Sequence, residues 1–146
     1  MTLKLVITCN GAEVDWKELA RVYELAPFAK RRPSDLKRAF EMSDYKCFAF
    51  DKSTGHLIGA VRAISDGVYY ATVYDVVVHP DYQCQGVGTA LMQSIIKKLA
   101  RFEKIFLTAA LGRERFYKKF GFLHHNTAMG LYRDANLYIK NGILSE

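Results

Sequence analysis

The chain has 146 residues, 50% of them hydrophobic and 13% aromatic, so it can bury a core and does not resemble a disordered sequence. Its formal net charge of +6 suits an anionic ligand or partner but does not identify one. No run approaches the roughly 18 apolar residues that span a membrane, and no small-residue cleavage site follows the first apolar residues. We therefore expect one domain over residues 1–146, in a cytoplasmic protein without a signal peptide.

A strand, two helices and three further strands are predicted in the first half of the chain. Alternating apolar residues predict the first strand at about residues 3–9. Asp15 and Glu18 resemble a capping box at the start of a helix that Pro27 ends, and a second short helix begins near Ser34. The three strands, separated by turn residues, are predicted at residues 46–51, 56–64 and 68–78.

A helix, a strand, a short helix and a last strand are predicted in the second half. They are expected at residues 85–100, 105–108, 113–120 and 129–133, with Gly121 ending the short helix. The order β-α-α-β-β-β-α-β-α-β predicts an α/β fold of the α+β kind, with a central mixed sheet and helices on both sides. Because a strand–helix–strand unit makes a right-handed parallel crossover, the sheet should change from antiparallel to parallel pairing after Val78. We expect a ligand to enter between the splayed strands there.

The most informative segment joins an apolar strand end to the helix at residues 85–100. It consists of the strand residues Val76, Val77 and Val78 and, after a short turn, of Gln83-Cys84-Gln85-Gly86-Val87-Gly88-Thr89. Glycines let the backbone approach a ligand, and the unpaired N–H groups of a helix start favour negative charge, so this segment is predicted to bind a diphosphate. A glycine pair alone is weak evidence, and three valines alone are more typical of a core strand. Leu91 also stands where a dinucleotide fingerprint needs a small residue.

The glycine segment resembles the signature of the GNAT superfamily of acetyl-CoA-dependent N-acetyltransferases, Gln/Arg-x-x-Gly-x-Gly/Ala. Residues 116–122, Phe-Tyr-Lys-Lys-Phe-Gly-Phe, are similar to a second landmark of that family. The resemblance covers residues 56–122 well, and the whole predicted element order fits it. It implies a GNAT-like acyl-CoA N-acyltransferase fold with acetyl-CoA as co-substrate.

The resemblance also implies the contacts to acetyl-CoA. The strand backbone at Val76, Val77 and Val78 would hydrogen-bond the pantetheine arm, and an N–H there would meet the thioester oxygen as it becomes an oxyanion. The pyrophosphate would lie over the N–H groups of residues 85–89. The residues of the turn that are implied to bind the co-substrate are Gln83, Cys84, Gln85, Gly86, Val87, Gly88 and Thr89.

Two catalytic side chains are implied by the same resemblance. Tyr117 matches a tyrosine that gives a proton to the departing thiolate, and a phenol pKa of about 10 beside a thiol pKa of about 8.5 suits that step. The alternative for Tyr117 is a core aromatic. Asp75 resembles the acidic position of glucosamine-phosphate acetyltransferases and would help the acceptor ammonium lose its proton. The alternative for Asp75 is a strand carboxylate paired with an arginine or lysine, and Glu24 is a weaker candidate for the base.

The predicted reaction is direct transfer of the acetyl group to a primary amine, with a small molecule preferred as acceptor. Acetylation of a protein lysine or N-terminus, a non-catalytic acyl-CoA-binding module and a basic nucleic-acid-binding protein are the alternatives. The aromatic residues that could line an acceptor pocket are Tyr23, Phe28, Tyr69, Tyr70 and Tyr74.

The remaining sequence features predict neither a metal site nor a nucleic-acid or membrane partner. Cys9, Cys47 and Cys84 lack the paired spacing of a metal site and are expected to be reduced thiols. The basic cluster at residues 30–32 lacks interleaved aromatics and is expected to be a solvated surface. An exposed terminal strand would permit a homodimer.

Overall fold

The structure is a computed structural model that describes residues 2–11, 13–26 and 28–146. The chain forms two compact units, Met1–Leu107 and Thr108–Glu146. The first unit contains all of the strands found in the described residues. Its elements are β1 (Leu5–Thr8), α1 (Trp16–Leu25), α2 (Pro33–Glu41), β2 (Tyr45–Asp51), β3 (Leu57–Ser65), β4 (Tyr70–Val78), α3 (Val87–Leu99) and β5 (Lys104–Phe106).

The five strands form one mixed sheet in the order β1-β2-β3-β4-β5. The first four strands pair antiparallel, and β4 pairs parallel with β5. This confirms the predicted mixed sheet and the change of pairing after β4. The predicted strand at 105–108 is shorter than expected, since β5 ends at Phe106.

Local signals place α1 as the sequence predicts. The Asp15 carboxylate accepts hydrogen bonds from the backbone N–H groups of Lys17 and Glu18, at 2.9 and 3.3 Å, and so caps the first turn. Glu18 does not close the second half of the predicted capping box. Its Oε1 instead lies 2.7 Å from Nδ1 of His56. Pro27, expected to end this helix, lies outside the described residues.

The core of the first unit lies on both faces of the sheet, as predicted. Alternation along β2 turns Phe48 towards α1 and α2, where it packs with Phe40, and turns Cys47 and Ala49 to the opposite face. That opposite face is covered by α3. The buried side chains of α3 are Val87, Leu91, Met92, Ile95 and Leu99.

Gly59 of β3 permits the close approach of β4 and α3. A Cβ atom at Gly59 would lie 2.8 Å from the Val77 carbonyl oxygen and 3.1 Å from Cδ1 of Leu91. We therefore expect Gly59→Ala to lower the free energy of unfolding by about 1–3 kcal/mol, the range for overpacked cores. Urea unfolding measures this, and Gly11→Ala is the control because its nearest neighbour, a Trp16 ring atom, is 3.9 Å away. Equal midpoints for the two variants would contradict the expectation.

The second unit contains α4 (Glu114–Lys118) and α5 (Ala135–Lys140). Helix α4 is shorter than predicted, and the chain turns after it at Gly121, which has a φ of +90°. The predicted strand at 129–133 is wrong. Met129 is 99% exposed, and residues 129–133 pair with no strand in the described part of the chain. The Asp134 carboxylate accepts a hydrogen bond from the Leu137 N–H at 3.2 Å and starts α5 instead.

None of the helices in the described ranges is long and apolar enough to cross a bilayer.

Candidate functional site

A β-bulge in β4 sets the geometry of the candidate site. Arg62 of β3 lies opposite Tyr74, and Ala60 lies opposite Val77, so one residue of β3 faces two of β4. The extra residue distorts the strand at Asp75, whose φ of +57° is in the left-handed region. Bulges re-aim side chains and recur beside active sites. Here the bulge places Asp75 and Tyr74 together against Arg62, although they are consecutive in the strand.

The pairing of β4 with β5 ends before the bulge. Within the described residues, their pairing covers only Tyr70 to Thr72 of β4. The last six residues of β4 therefore run along an edge that β5 does not cover. The N–H of His79 donates to Ile58 O of β3 at 2.7 Å, so strand alternation turns the N–H and C=O of Val78 towards that edge.

The three valines at this edge differ in how deeply their side chains are buried. The Val77 side chain is fully buried in the core, whereas Val76 and Val78 are half-buried. The Gln83 side-chain amide donates to the Val78 carbonyl oxygen at 3.1 Å and so ties the following turn to the strand end. The ligand expected at this strand end stays a prediction.

The turn before α3 has two residues in the left-handed region. Cys84 has a φ of +59° and Gly86 a φ of +84°, with Gln85 between them. Gly86 is the N-cap of α3 and provides no side-chain hydrogen bond, and the first helical turn has no acidic residue. Consecutive N–H groups in such alternating backbone form a concavity that binds anions, and the helix dipole adds to it.

The start of α3 corrects the predicted helix boundary. The helix was expected from Gln85, but it begins at Val87 because Gly86 is left-handed. Val87 is buried and packs into the core, so only its backbone is available to a ligand. Gln85 is exposed, and its side-chain amide donates to the Asp81 carbonyl oxygen at 2.8 Å. Gly88 and Thr89, in the first turn of the helix, are half-buried.

Asp75 forms an ion pair with Arg62, the alternative that the sequence left open for it. Nε of Arg62 donates to Oδ2 of Asp75 at 2.8 Å, and the two side chains are only 17% and 20% exposed. The Arg62 guanidinium also lies 5.2 Å from the centre of the Tyr74 ring and donates to Oγ of Ser43 at 3.3 Å. Sequence reasoning did not name Arg62. The sequence signal that could have identified Arg62 was a charged residue between two apolar ones, Val61 and Ala63.

Tyr23 of α1 lies beside Arg62 and Asp75, and we refer to these three residues with Tyr74 as the cluster. Its side chain is 0% exposed, and its hydroxyl has no hydrogen-bond partner among the described residues. Burial and the neighbouring Asp75 carboxylate raise the pKa of Tyr23 well above its ordinary value, while Arg62 lowers it. An unpaired buried hydroxyl is costly, and the Asp75 carboxylate beside it is the acceptor within its reach. Tyr23 was predicted only as one of five aromatic residues around an acceptor pocket.

An open depression of about 360 Å³ lies on β3 and β4 beside the cluster. It brings together Tyr70 and Tyr74, two of the aromatics predicted to line an acceptor pocket. The Tyr69 ring is tilted by 43° against that of Tyr70, while Phe28 packs against Tyr23. The residues lining the depression are Ile64, Ser65, Asp66, Tyr70, Ala71, Thr72 and Tyr74.

Tyr117 belongs to α4 of the second unit. Its ring contacts Phe116 and Phe122, with ring centres 5.0 and 6.3 Å apart. It is half-buried, and burial raises its pKa above the ordinary value while Arg113 lowers it. The phenol is therefore protonated at neutral pH and able to donate a proton.

The weaker candidates have local partners. Glu24 is exposed and lies 3.7 Å from Arg21 on the surface of α1. Nδ1 of His79 accepts from the Asp81 N–H at 3.2 Å and so shapes the turn. Within the described ranges, no group of three or more histidine, cysteine, aspartate or glutamate side chains is placed to hold a metal ion.

The parallel pairing of β4 with β5 and the left-handed turn before α3 fit the acyl-CoA-dependent transferases to which the sequence motifs point. The family model of the acetyltransferase (GNAT) family matches residues 14–122. The chain belongs to this family. The match contains the β4 edge, the turn and Tyr117.

Relatives and solved structures agree with the family. An uncharacterized N-acetyltransferase (ycf52) of Gracilaria tenuistipitata var. liui is 47% identical over 127 residues, which cover 84% of this chain and 69% of the relative. The crystal structure of a Deinococcus radiodurans R1 protein, described there as a candidate acetyltransferase, superposes with a TM-score of 0.78 and 25% identity, covering 90% of each chain.

Two further relatives have named acceptors. A histone acetyltransferase (TAP1) of Glycine max is 33% identical over 83% of this chain and 57% of its own length. A chloroplastic serotonin N-acetyltransferase of Oryza sativa subsp. japonica is 32% identical over 77% of this chain and 58% of its own length. One relative is thus named for a protein acceptor and the other for a small amine.

Proposed function

We propose that the protein transfers the acetyl group of acetyl-CoA directly to a primary amine of a small molecule. The observation that carries this proposal is the open edge of β4 beyond Thr72, followed by the left-handed turn at Cys84 and Gly86. Together they offer backbone donors for a pantetheine arm and for a diphosphate. The family match supports acetyl-CoA as the donor.

In this proposal the backbone of Val76, Val77 and Val78 meets the pantetheine arm. The N–H of Val78, turned to the open edge, is the group best placed to hydrogen-bond the thioester oxygen as negative charge develops on it. The diphosphate is held by the turn and the first N–H groups of α3. The residues assigned to it are Gln83, Cys84, Gln85, Gly86, Val87, Gly88 and Thr89.

Gly86→Ala should weaken binding of coenzyme A by about tenfold, equivalent to about 1.4 kcal/mol. An L side chain at a φ of +84° strains the turn and displaces the N–H groups that bind phosphate. Isothermal titration with coenzyme A measures the dissociation constant. Gly55→Ala is the matched control, because Gly55 has a φ of +76° and, like Gly86, no atom within 4 Å of the added Cβ. Unchanged affinity in Gly86→Ala would show that the diphosphate does not bind at the turn, and equal loss in both variants would indicate a general effect on the fold.

Tyr117 and Asp75 are the proposed catalytic side chains. Tyr117 would give its proton to the departing thiolate, an assignment supported by its position in the family motif. Asp75 would receive the acceptor ammonium. A carboxylate has about four lone-pair sites, and the hydrogen bond from Arg62 occupies one, so a substrate N–H can still be accepted. The buried hydroxyl of Tyr23 is a second polar group on that side.

The acceptor proposed from the site has a cationic amine and an apolar or aromatic body. The open depression lined by Tyr70 and Tyr74 offers an aromatic surface, and Tyr74 connects it to the Arg62–Asp75 pair. The rice relative is named for serotonin, an amine of this kind.

A protein lysine is the second candidate acceptor, because the depression is open and the soybean relative is named for histones. The chain's own charge of +6 opposes its encounter with a lysine-rich peptide. We therefore propose the small amine first.

The test is consumption of the acetyl-CoA thioester with a panel of arylalkylamines, aliphatic amines and lysine peptides. Loss of thioester absorbance is preferable to a thiol reagent, because the exposed Cys9 and Cys84 would react with the reagent. Turnover with an amine and not with peptides supports the proposal. Turnover with peptides alone would show that the acceptor is a protein lysine. Coenzyme A binding without any turnover would indicate a non-catalytic module.

Other expectations stay proposals. We propose that residues 1–146 are one N-acetyltransferase domain, since the family match runs across the boundary between the two units. A cytoplasmic location stays a prediction beside the chloroplastic rice relative. The fold does not test the possible homodimer or the expected absence of a nucleic-acid or membrane partner, so these also stay predictions.

A further inference from the structure

Cys9, the residue after β1, lies beside Cys47 of β2. The antiparallel register pairs Thr8, the last residue of β1, with Phe48 of β2, so the residue after β1 comes next to the residue before Phe48. Their sulfur atoms are 2.7 Å apart, compared with about 2.0 Å in a disulfide bond. Side chains of directly opposed residues in such a pair start about 4.5–5.5 Å apart at Cβ, close to the separation that a disulfide spans. Two thiols in contact across a ladder need little backbone movement to bond.

The two thiols differ in access. Cys9 is exposed just beyond the end of β1, whereas Cys47 is fully buried beneath α3. Burial raises the pKa of Cys47, as does the neighbouring Cys9. An external reagent therefore meets Cys9 first, and Cys47 is placed to attack only the sulfur next to it.

We propose that Cys9 and Cys47 are a modification site, where a disulfide oxidant such as oxidised glutathione forms a reversible intramolecular disulfide. The thiolate of Cys9 attacks one oxidant sulfur, breaks the oxidant disulfide and releases one glutathione thiolate. The thiolate of Cys47 then attacks the Cys9 sulfur and releases the second glutathione. Two protein thiols are oxidised, one glutathione disulfide is reduced, and the two thiol protons leave on the two glutathiones. The reduced thiols expected from the sequence are then one redox state of the protein, and the disulfide is the other.

The disulfide would close a loop that contains two helices. Cys9 and Cys47 are 38 residues apart, and the loop between them contains α1 and α2. A disulfide that closes a loop of this size restricts the unfolded chain and stabilises the folded one. It would also fasten β1, the strand at the edge of the sheet, to β2.

The test equilibrates the reduced protein with glutathione buffers of increasing oxidised fraction, in a Cys84→Ser background. Samples are quenched in acid, alkylated in denaturant so that buried Cys47 is reached, and mapped as peptides without reduction. The expected result is loss of both alkylation sites together, a peptide joining Cys9 to Cys47, and a higher thermal midpoint that a dithiol reductant reverses. Cys9→Ser and Cys47→Ser should each abolish the joined peptide.

Two results would overturn the proposal. One is that both cysteines stay alkylated at an oxidised fraction that converts a model vicinal dithiol peptide to its disulfide. The other is that Cys9 accumulates a mixed disulfide with glutathione that Cys47 does not resolve. Cys9→Ser changes an exposed side chain, so it gives a folded reference for the thermal midpoint even if Cys47→Ser does not fold.

Discussion

Replacing Tyr117 by Phe should lower kcat by about 10²-fold or more, the range for loss of a general acid, and leave the affinity for acetyl-CoA unchanged. The variant keeps the ring that contacts Phe116 and Phe122 and removes only the hydroxyl. The departing thiolate then has no proton donor at that position, while the backbone contacts to the co-substrate remain. Steady-state turnover and titration with coenzyme A separate the two quantities.

The pH dependence gives a second measure of the same role. A general acid must be protonated, and burial raises the pKa of Tyr117 above the ordinary phenol value of about 10. The alkaline fall in wild-type activity that follows loss of the phenol proton should therefore begin only above that value. The residual activity of Tyr117→Phe should lack this alkaline fall.

Tyr138→Phe is the matched control for Tyr117→Phe. Tyr138 is a partly exposed tyrosine of α5 in the same unit, and its loss of a hydroxyl should leave both turnover and the pH profile unchanged. Unchanged turnover in Tyr117→Phe across the pH range would assign Tyr117 to the aromatic cluster alone. Equal losses in the two variants would point to a general effect on the second unit.

The sheet and its pairing were predictable because the signals are local. Alternation predicts β1, the Asp15 cap predicts the start of α1, and the strand–helix–strand order predicts parallel pairing of β4 with β5. The candidate diphosphate turn is similarly local, since glycines and a following apolar helix face are visible in the sequence. The helix boundary at Val87 was missed because the left-handed φ of Gly86 is a backbone property that apolar periodicity does not report.

The features that shape the acceptor side depend on register between strands. The bulge at Asp75 arises where β4 has one residue more than β3, and neither strand shows this alone. The ion pair with Arg62 follows from that register, so the sequence left the partner of Asp75 open. The strand expected at 129–133 failed for a related reason. Apolar residues such as Leu131 favour a strand only when an edge is available to pair with.

Asp75→Asn should lower kcat by about 10²-fold, within the range for loss of a general base, and should change acetyl-CoA affinity little. Asparagine has the same shape and tolerates the φ of +57°, so the bulge is retained while the carboxylate charge is lost. Turnover is measured at saturating acetyl-CoA with the best amine of the acceptor panel. A raised KM for the amine is expected as well, because the carboxylate also holds the ammonium.

Arg62→Met distinguishes catalysis from ion-pair structure. Both single variants break the Arg62–Asp75 pair, so both should lower the free energy of unfolding, and the double variant should show a coupling energy of about 0.5–3 kcal/mol. If Asp75 serves only that pair, the two single variants lose the same turnover, and the double variant loses no more than either. If Asp75 receives the substrate proton, Arg62→Met keeps most of the turnover that Asp75→Asn loses, because the carboxylate remains in place. A fall in kcat that tracks the fall in stability across the three variants would remove Asp75 from the mechanism.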